Sequence, residues 1–433
     1  MPFGEALRVW FKIGCIGFGG PAGQIALMHR ILVVEKHWVE EQRFLHALNF
    51  CVLLPGPEAQ KLATYIGWLL HGSRGGLAAG ILFVAPGALV ILGLSLLYAL
   101  GRGVPAVDGA LFGIKAAVLV IVVEALFRIG RRSLKTRLLI GVAGAAFIGI
   151  FFLDLPFPLI VAGAAAIGFA VARASPGLLG LKAAAAGPGE SAPGRWRHAT
   201  IAAAVGVALW WAPVAAAVVL LGSGHVLVDI GVFFSKLAVV SFGGAYALLA
   251  YMAQEAVESY RWMTAPEMVD GLGLAETTPG PLILVTQFVG FLAGFRDAAP
   301  FSPITAGIVA SALTTWVTFV PPMMLIFAGA PFVEQLRANQ RLSGALAAIT
   351  AAVVGVILNL TVWFALHVLF GKVEEARAGP LRWYAFDPLA LDLTVLALAL
   401  IAVLLAFTLR RGLVELVLTM AALGVAVRLF LGA

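Results

Sequence analysis

A chain of 433 residues that is 61% hydrophobic and only 12% charged, with a mean hydropathy of +1.01, is too oily for a soluble domain, where about half of the residues are apolar and about a quarter charged. Apolar segments of about 20 residues recur from end to end, the length an α-helix needs to cross a bilayer; this reads as an all-α polytopic membrane protein and not as the short alternating segments of a β-barrel. The net charge of +7, from 29 basic and 22 acidic residues, is scattered through that oily chain and suits basic cytoplasmic loops, not nucleic acid.

The opening stretch, MPFGEALRVWFKIG, lacks a small-residue cleavage site and reads as a retained helix, not a signal peptide. Hydropathy then predicts helices over 4–33, 42–71, 76–101, 107–128, 138–153 and 156–172. The segment LKAAAAGPGESAPGR, Leu181 to Arg195, is rich in Ala, Gly and Pro and reads as a flexible, poorly ordered tether. One further apolar run follows, Ala199 to Leu221. Six more helices are predicted at 227–257, 265–294, 302–330, 342–370, 389–409 and 412–431. The expected organisation is an N-terminal membrane repeat over 1–172, a linker with one transmembrane helix over 173–226, and a C-terminal membrane repeat over 227–433.

The division into repeats rests on self-similarity. FKIGCIGFGGPAGQIALMHRILVVEKHW from Phe11 matches SKLAVVSFGGAYALLAYMAQEAVESYRW from Ser235. Gly19 and Gly20 correspond to Gly243 and Gly244, Lys12 to Lys236, Trp38 to Trp262, and the LPGP of Pro55, Gly56 and Pro57 to the TPGP of Pro279, Gly280 and Pro281, all at a constant offset of 224 residues. FVAPG and FVPPM, around Pro86 and Pro321, form a later echo. Six crossings, one linking crossing and six more turn the second half upside down. The positive-inside rule agrees: placing Arg128, Arg131, Arg132, Lys135 and Arg137 in the cytoplasm puts Arg173, Lys182, Arg195, Arg197, Arg410 and Arg411 there too, and leaves the mixed-charge loop from Lys372 to Asp387 outside. The expected topology is about thirteen crossings with the N-terminus in the cytoplasm and the C-terminus outside.

Inverted repeats with interrupted helices at matching positions occur in secondary transporters, whose broken ends meet near the midplane around the substrate. The chemistry of these breaks favours an anion. Pro57 suits the first turn of a new helix, so the free N–H groups of Glu58 to Gln60 point back into the break, where a helix N-terminus concentrates positive potential. FGGPAGQ, Phe18 to Gln24, offers a second such end, and FGGA and TPGP repeat both in the second half. The expected binding set is Lys12, Gly19, Gly20, Gln24, Pro55, Gly56, Pro57, Gln60, Lys236, Ser241, Gly243, Gly244, Thr278, Pro279, Gly280 and Pro281. Lys12 and Lys236, at equivalent positions, suit a dianion; the alternative is that both snorkel to the membrane surface. Lys115, inside GIKAAVLVIVVEALF, reads as a pathway residue. Lys61 either faces the site or pairs with Glu58 one turn away. Glu58 and Glu276 lie in predicted membrane segments, where burial raises a carboxylate's affinity for protons; they are the candidates for proton coupling, against helix capping or salt bridging. Cys15 and Cys51 sit in apolar runs as small hydrophobes. No CxxC, HExxH, Walker A or nucleophile-elbow pattern is present, so the reading is not an enzyme and calls for no cofactor or metal.

FGGPAGQIALMHR, EKHWVEEQRFLHALNFCVLLPGPEAQKLATYIGWLLHG, SFGGAYALLAYM and TTPGPLILVTQFVGF, in this order and spacing, closely resemble the chromate ion transporter family. The resemblance implies a two-domain inner-membrane protein of a prokaryote, with duplicated, oppositely oriented halves, linked to chromate efflux and resistance, with sulfate as the look-alike anion. Two positions depart from the family pattern. Gly17 replaces the usual serine of SFGG, which the second half keeps as Ser241, and Gln24 stands where many relatives carry histidine. The function expected is a secondary active transporter exporting chromate, an oxyanion dianion, by alternating access coupled to the proton gradient. Sulfate or other oxyanion uptake and a passive anion channel are the alternatives. Chromate or sulfate, protons and membrane lipid are the expected partners, and small-residue stretches such as GVAGAAFIGI and VAGAAAIGFA allow close helix packing within one chain or in a homodimer.

Overall fold

The computed structural model describes residues 1–18, 20–101, 103–180, 195–241, 245–332, 339–409 and 411–431. Sixteen α-helices carry most of them. Helices α1 (Phe3–Ile16), α2 (Gly20–His29), α3 (Glu41–Leu53), α4 (Glu58–Gly101), α5 (Pro105–Ser133), α6 (Arg137–Phe151) and α7 (Phe157–Ala174) come first. Helix α8 (Arg195–Leu221) occupies the expected linking run. Then follow α9 (Val226–Val240), α10 (Ala245–Gln254), α11 (Ala265–Glu276), α12 (Val285–Arg296), α13 (Pro303–Gly329), α14 (Gln340–Leu369), α15 (Leu393–Val403) and α16 (Leu413–Leu431). Among the described residues, seven helices are long and apolar enough to cross a membrane. The tether from Leu181 to Gly194 lies outside the described residues, as does Arg410.

Glycine and proline interrupt the expected helices. The helix predicted over 4–33 is two: α1 stops at Gly17 (φ −78°, ψ 68°) and α2 restarts at Gly20 in a left-handed conformation (φ +66°). Helix α4 also changes direction, at His71 and Gly72, whose angles are not helical. There the chain doubles back, so that Gly67 of the first arm lies against Gly75 and Ala79 of the second. The 44 residues of α4 are therefore a helical hairpin of 58–70 and 73–101, close to the two helices expected from sequence.

The duplication extends to main-chain detail. Helix α2 ends in a π-turn, Arg30–Glu35, and α10 in the matching one, Glu255–Ser259. His37 (φ +51°) and Arg261 (φ +53°) are left-handed at equivalent positions. The Trp38 N–H then donates to the Leu32 carbonyl (2.8 Å), and the Trp262 N–H to that of Ala256 (2.9 Å), 224 residues further on.

The chain forms two compact units, and each takes segments from both sequence halves. The first unit comprises 1–93, 182–248 and 278–343; the second comprises 94–181, 249–277 and 344–433. In the first, α13 packs on α8, α9 and α12, and the Trp210 indole donates to the Ser235 hydroxyl (3.0 Å). In the second, α5 packs along α16. Their backbones approach closely because a Cβ at Gly113 would overlap the Met420 carbonyl, the small-residue contact typical of membrane helices. The stretches GVAGAAFIGI and VAGAAAIGFA are used in part within the chain, with Ala143 against Gly355 and Gly168 against Gly344.

The loop from Lys372 to Asp387 is not irregular. It folds as an antiparallel hairpin of β1 (Val373–Ala378) and β2 (Leu381–Phe386). Arg382 on β2 is 1% exposed and locks the hairpin to the end of α6. Its guanidinium donates to the Ile150 carbonyl (2.8 Å) and pairs with Asp154 at 2.8 Å, with Glu258 at 3.5 Å and Glu375 at 3.9 Å. Burial pushes Glu258 up to about 7, against the opposing pull of Arg382.

Because the folded state holds that proton more tightly than the unfolded chain, stability falls as pH rises from the ordinary carboxylate range through 7. Replacing Glu258 with Gln is expected to raise the melting temperature of the detergent-solubilised protein at pH 8 and to change it little at pH 5. Equal shifts at both pH values would refute the assignment.

Candidate anion site

The site is built where two helix breaks meet within the first unit. Leu54 caps α3 in an extended conformation (φ −100°, ψ 149°), and Gly56 turns the chain with φ +106° before α4 begins at Glu58. In the second half Gly280 takes φ +93°, and a short 3-10 turn, Leu282–Leu284, leads into α12. Only glycine adopts such angles without strain. Gly17 and Ser241, which end α1 and α9, share one conformation as well (φ −78°, ψ 68° and φ −74°, ψ 64°).

These four points are joined crosswise. The Gly56 N–H donates to the Ser241 carbonyl (2.8 Å), and the Gly280 N–H donates to the Gly17 carbonyl (2.9 Å). Exchanging each residue for its repeat equivalent converts one bond into the other. Side-chain packing follows the same cross: a Cβ at Gly56 would collide with Pro322 of the second half, and one at Gly87 of the first half with the Pro279 carbonyl. Ser241 contributes a main-chain carbonyl to this frame, which glycine supplies equally well. The replacement of serine by Gly17 thus removes nothing from the bond.

Three polar side chains of the first half, Gln24, Gln60 and Lys61, lie at the frame, alongside Thr278 and Gln287 of the second half. Gln24, 1% exposed, donates its amide nitrogen to the Gly17 carbonyl (3.1 Å) and to the Gly280 carbonyl. Two carbonyl acceptors fix which end of the amide faces them. Lys61, also 1% exposed, donates to the Leu54 carbonyl. Among the described residues it makes no ion pair, with Glu58 or any other carboxylate. Gln60 is fully buried; its amide nitrogen reaches the Thr64 hydroxyl at 3.4 Å, while its oxygen has no partner. The first main-chain bond of α4 runs from the Lys61 N–H to the Pro57 carbonyl (3.0 Å), so the N–H groups of Glu58, Ala59 and Gln60 stand outside the helical ladder. At the second break the equivalent positions are Leu282, Leu284 and Val285, all buried and apolar.

The expected residues are distributed unevenly. Thr278, Pro279, Gly280 and Pro281 are buried, Pro55, Pro57, Gly20 and Glu58 partly so. Gly19, Gly243 and Gly244 lie outside the described residues. Lys12 and Lys236 are both exposed, on helices whose buried faces carry Trp10 and Ile13 or Phe234 and Leu237. That arrangement matches the snorkelling alternative. Lys115 belongs to the second unit, where it pairs with Asp270 at 3.3 Å, and Glu276, 6% exposed, lies in that unit too. The crosswise partners Pro322 and Gly87 were missed, although the FVAPG and FVPPM echo marked their neighbourhood.

A buried ammonium with no carboxylate in ion-pair contact, attracted only at longer range by Glu58, costs several kcal/mol unless other groups offset it. Here it lies at a break that also presents unbonded N–H groups at a helix N-terminus. Such an arrangement stabilises an anion and repels a cation.

The fold and this site define a polytopic helical membrane protein with broken helices of the kind found in transporters. The chromate transporter family matches residues 4–169 and 228–427, and the chain belongs to that family. It is 34% identical over 372 residues to a chromate transport protein of Pseudomonas aeruginosa, covering 84% of this chain and 81% of that one. A chromate transport protein of Cupriavidus metallidurans is 24% identical over 83% of this chain and 81% of its own. An uncharacterized transporter of Methanocaldococcus jannaschii is 26% identical over 83% of each. No solved structure matches the chain.

Two sets of variants separate the buried charge from the exposed ones. Lys61→Met is expected to lower oxyanion transport by about tenfold or more with normal expression and melting. Lys12→Ala and Lys236→Ala are expected to leave transport near wild type. Normal transport by Lys61→Met would remove Lys61 from the site.

Proposed function

We propose that the chain exports chromate across the cytoplasmic membrane as a secondary transporter, binding the dianion at the crossed breaks of its first unit. The observation that carries this reading is Lys61, a buried cation with no carboxylate in ion-pair contact and only Glu58 attracting it from further off, set where the N–H groups of Glu58 to Gln60 are unbonded. A tetrahedral oxyanion would accept from the ammonium and from those N–H groups. Rotation of the weakly held Gln60 amide would add a further donor. Two relatives named as chromate transport proteins supply the choice of chromate. Sulfate shares its charge and shape, and is the natural competitor.

Export by alternating access, driven by the proton gradient, accounts for an intramembrane anion site with buried carboxylates elsewhere in the chain. The distribution of basic loops favours an N-terminus in the cytoplasm and a C-terminus outside. Glu58 stands beside the break and Glu276 in the second unit, so neither carboxylate belongs to the symmetric frame.

The test is transport by the purified chain in proteoliposomes. Saturable chromate flux, inhibited by sulfate and accelerated by an imposed pH gradient, is the expected result. Absence of chromate flux under every gradient overturns the reading. Flux that neither saturates nor couples to another ion makes the protein a channel.

A further inference from the structure

The second unit holds an ion pair that the anion site does not use. Asp270 on α11 is fully buried. One of its carboxylate oxygens accepts from the Tyr98 hydroxyl at 2.8 Å, and the other lies 3.3 Å from the Lys115 ammonium. Tyr98 is 3% exposed, whereas the Lys115 side chain retains 25% of its exposure. Lys115 lies about 15 Å along α5 from Pro105, inside a helix long and apolar enough to span a membrane. Three helices therefore converge on one carboxylate that has a partly accessible cation beside it.

We infer that the Asp270–Lys115 pair, with Tyr98, is the proton-binding site that couples transport to the pH gradient. The inference rests on the proposed transport function and replaces Glu58 and Glu276 as coupling groups. Three observations support it. First, stability does not explain the pair, since apolar residues of like volume usually serve a protein interior as well as or better than buried ions. Ionisable groups inside membrane segments are retained for pathways and relays. Second, the pair occurs once. The repeat equivalent of Asp270 is His46, which is exposed, and that of Lys115, at the 235-residue offset shared by Pro86 and Pro321, is Thr350. A single coupling site for a single anion site is what one transport cycle requires. Third, the chain connects it to the breaks. Helix α11 runs into TPGP eight residues beyond Asp270, and Tyr98 lies on the second arm of α4, whose first arm starts at LPGP.

The step balances simply. A proton from the aqueous phase adds to Asp270, the ion pair opens, and the Lys115 ammonium is released with its charge; loss of the proton restores the pair. Tyr98 and Lys115 are titratable groups that meet the carboxylate, and Arg428 of α16 lies against Gly109 further along α5. Glu267, on the same helix, is engaged with Thr264 in a capping box. Asp108 and Glu124, on α5, stand about two turns or more to either side of Lys115.

Proteoliposomes containing the full chain test this with chromate in two modes: accumulation driven by a pH gradient, and chromate–chromate exchange at equal pH. Asp270→Asn is expected to lose driven accumulation by about tenfold or more while keeping exchange within about twofold of wild type. Tyr98→Phe removes a hydrogen bond to the charged carboxylate, so the midpoint of the pH–rate profile should move upward. Driven accumulation by Asp270→Asn, or loss of exchange along with it, overturns the inference. An unmoved midpoint in Tyr98→Phe overturns it as well, and decides the matter if Asp270→Asn does not fold. Wild-type exchange without gradient-driven accumulation refutes coupling alone, whereas wild-type protein with no chromate flux in either mode refutes the transport function.

Discussion

The structure of the first unit depends on two main-chain hydrogen bonds, Gly56 to Ser241 and Gly280 to Gly17. A helix that stops inside a membrane leaves N–H and C=O groups without partners, and lipid supplies none. Each half of this chain breaks its helices twice, and each break is completed by the other half. The break glycines must turn left-handed to aim their N–H groups across, and Gly56 must also lack a Cβ because Pro322 lies against it. The PGP sequence follows from that geometry. One proline ends the approach, the glycine makes the turn, and the second proline opens the next segment without needing an N–H.

Symmetry of the frame does not extend to its lining. Lys61, Gln60 and Gln24 all come from the first half, and their equivalents Val285, Leu284 and Leu248 are buried apolar residues. A duplicated scaffold has thus been given its buried charge, Lys61, on one side, while the second half contributes the neutral Thr278 and Gln287. The two clamps divide the work: Gln24 ties the Gly17 end to the Gly280 end, and Lys61 holds the Leu54 carbonyl of its own break. The ammonium has three donors and spends one of them on Leu54, so capacity for an oxyanion remains without rearranging the backbone.

Much of this was legible as pattern. The 224-residue offset found in the letters recurs in φ values, π-turns and tryptophan hydrogen bonds, because the same residues impose the same local angles wherever they occur. The breaks at LPGP and TPGP were legible for that reason too. Less legible was the direction a charged side chain takes. Lys12 and Lys236 shared the repeat and preceded the glycine pairs, yet both face outward, while Lys61, without a counterpart, is buried. Sequence spacing places a lysine on a helix but not on a face of it, unless both neighbouring helices are known. The hairpin of Val373–Phe386 escaped notice for a similar reason. Its alternation is masked by charges, and Arg382 becomes a buried anchor only because Asp154, Glu258 and Glu375 arrive from distant parts of the chain.

Composition alone determined that this chain is a helical membrane protein, since segments this apolar and this long are stable only in lipid. Its internal repetition determined that the protein is built twice over, with helix interruptions at matching points, because glycine and proline act locally. Tertiary structure decided the rest. It decided that breaks from opposite halves satisfy one another, that Lys61 is the buried charge, and that Lys115 pairs with Asp270. These are contacts between segments up to hundreds of residues apart, and no local rule of the chain specifies which of them will meet.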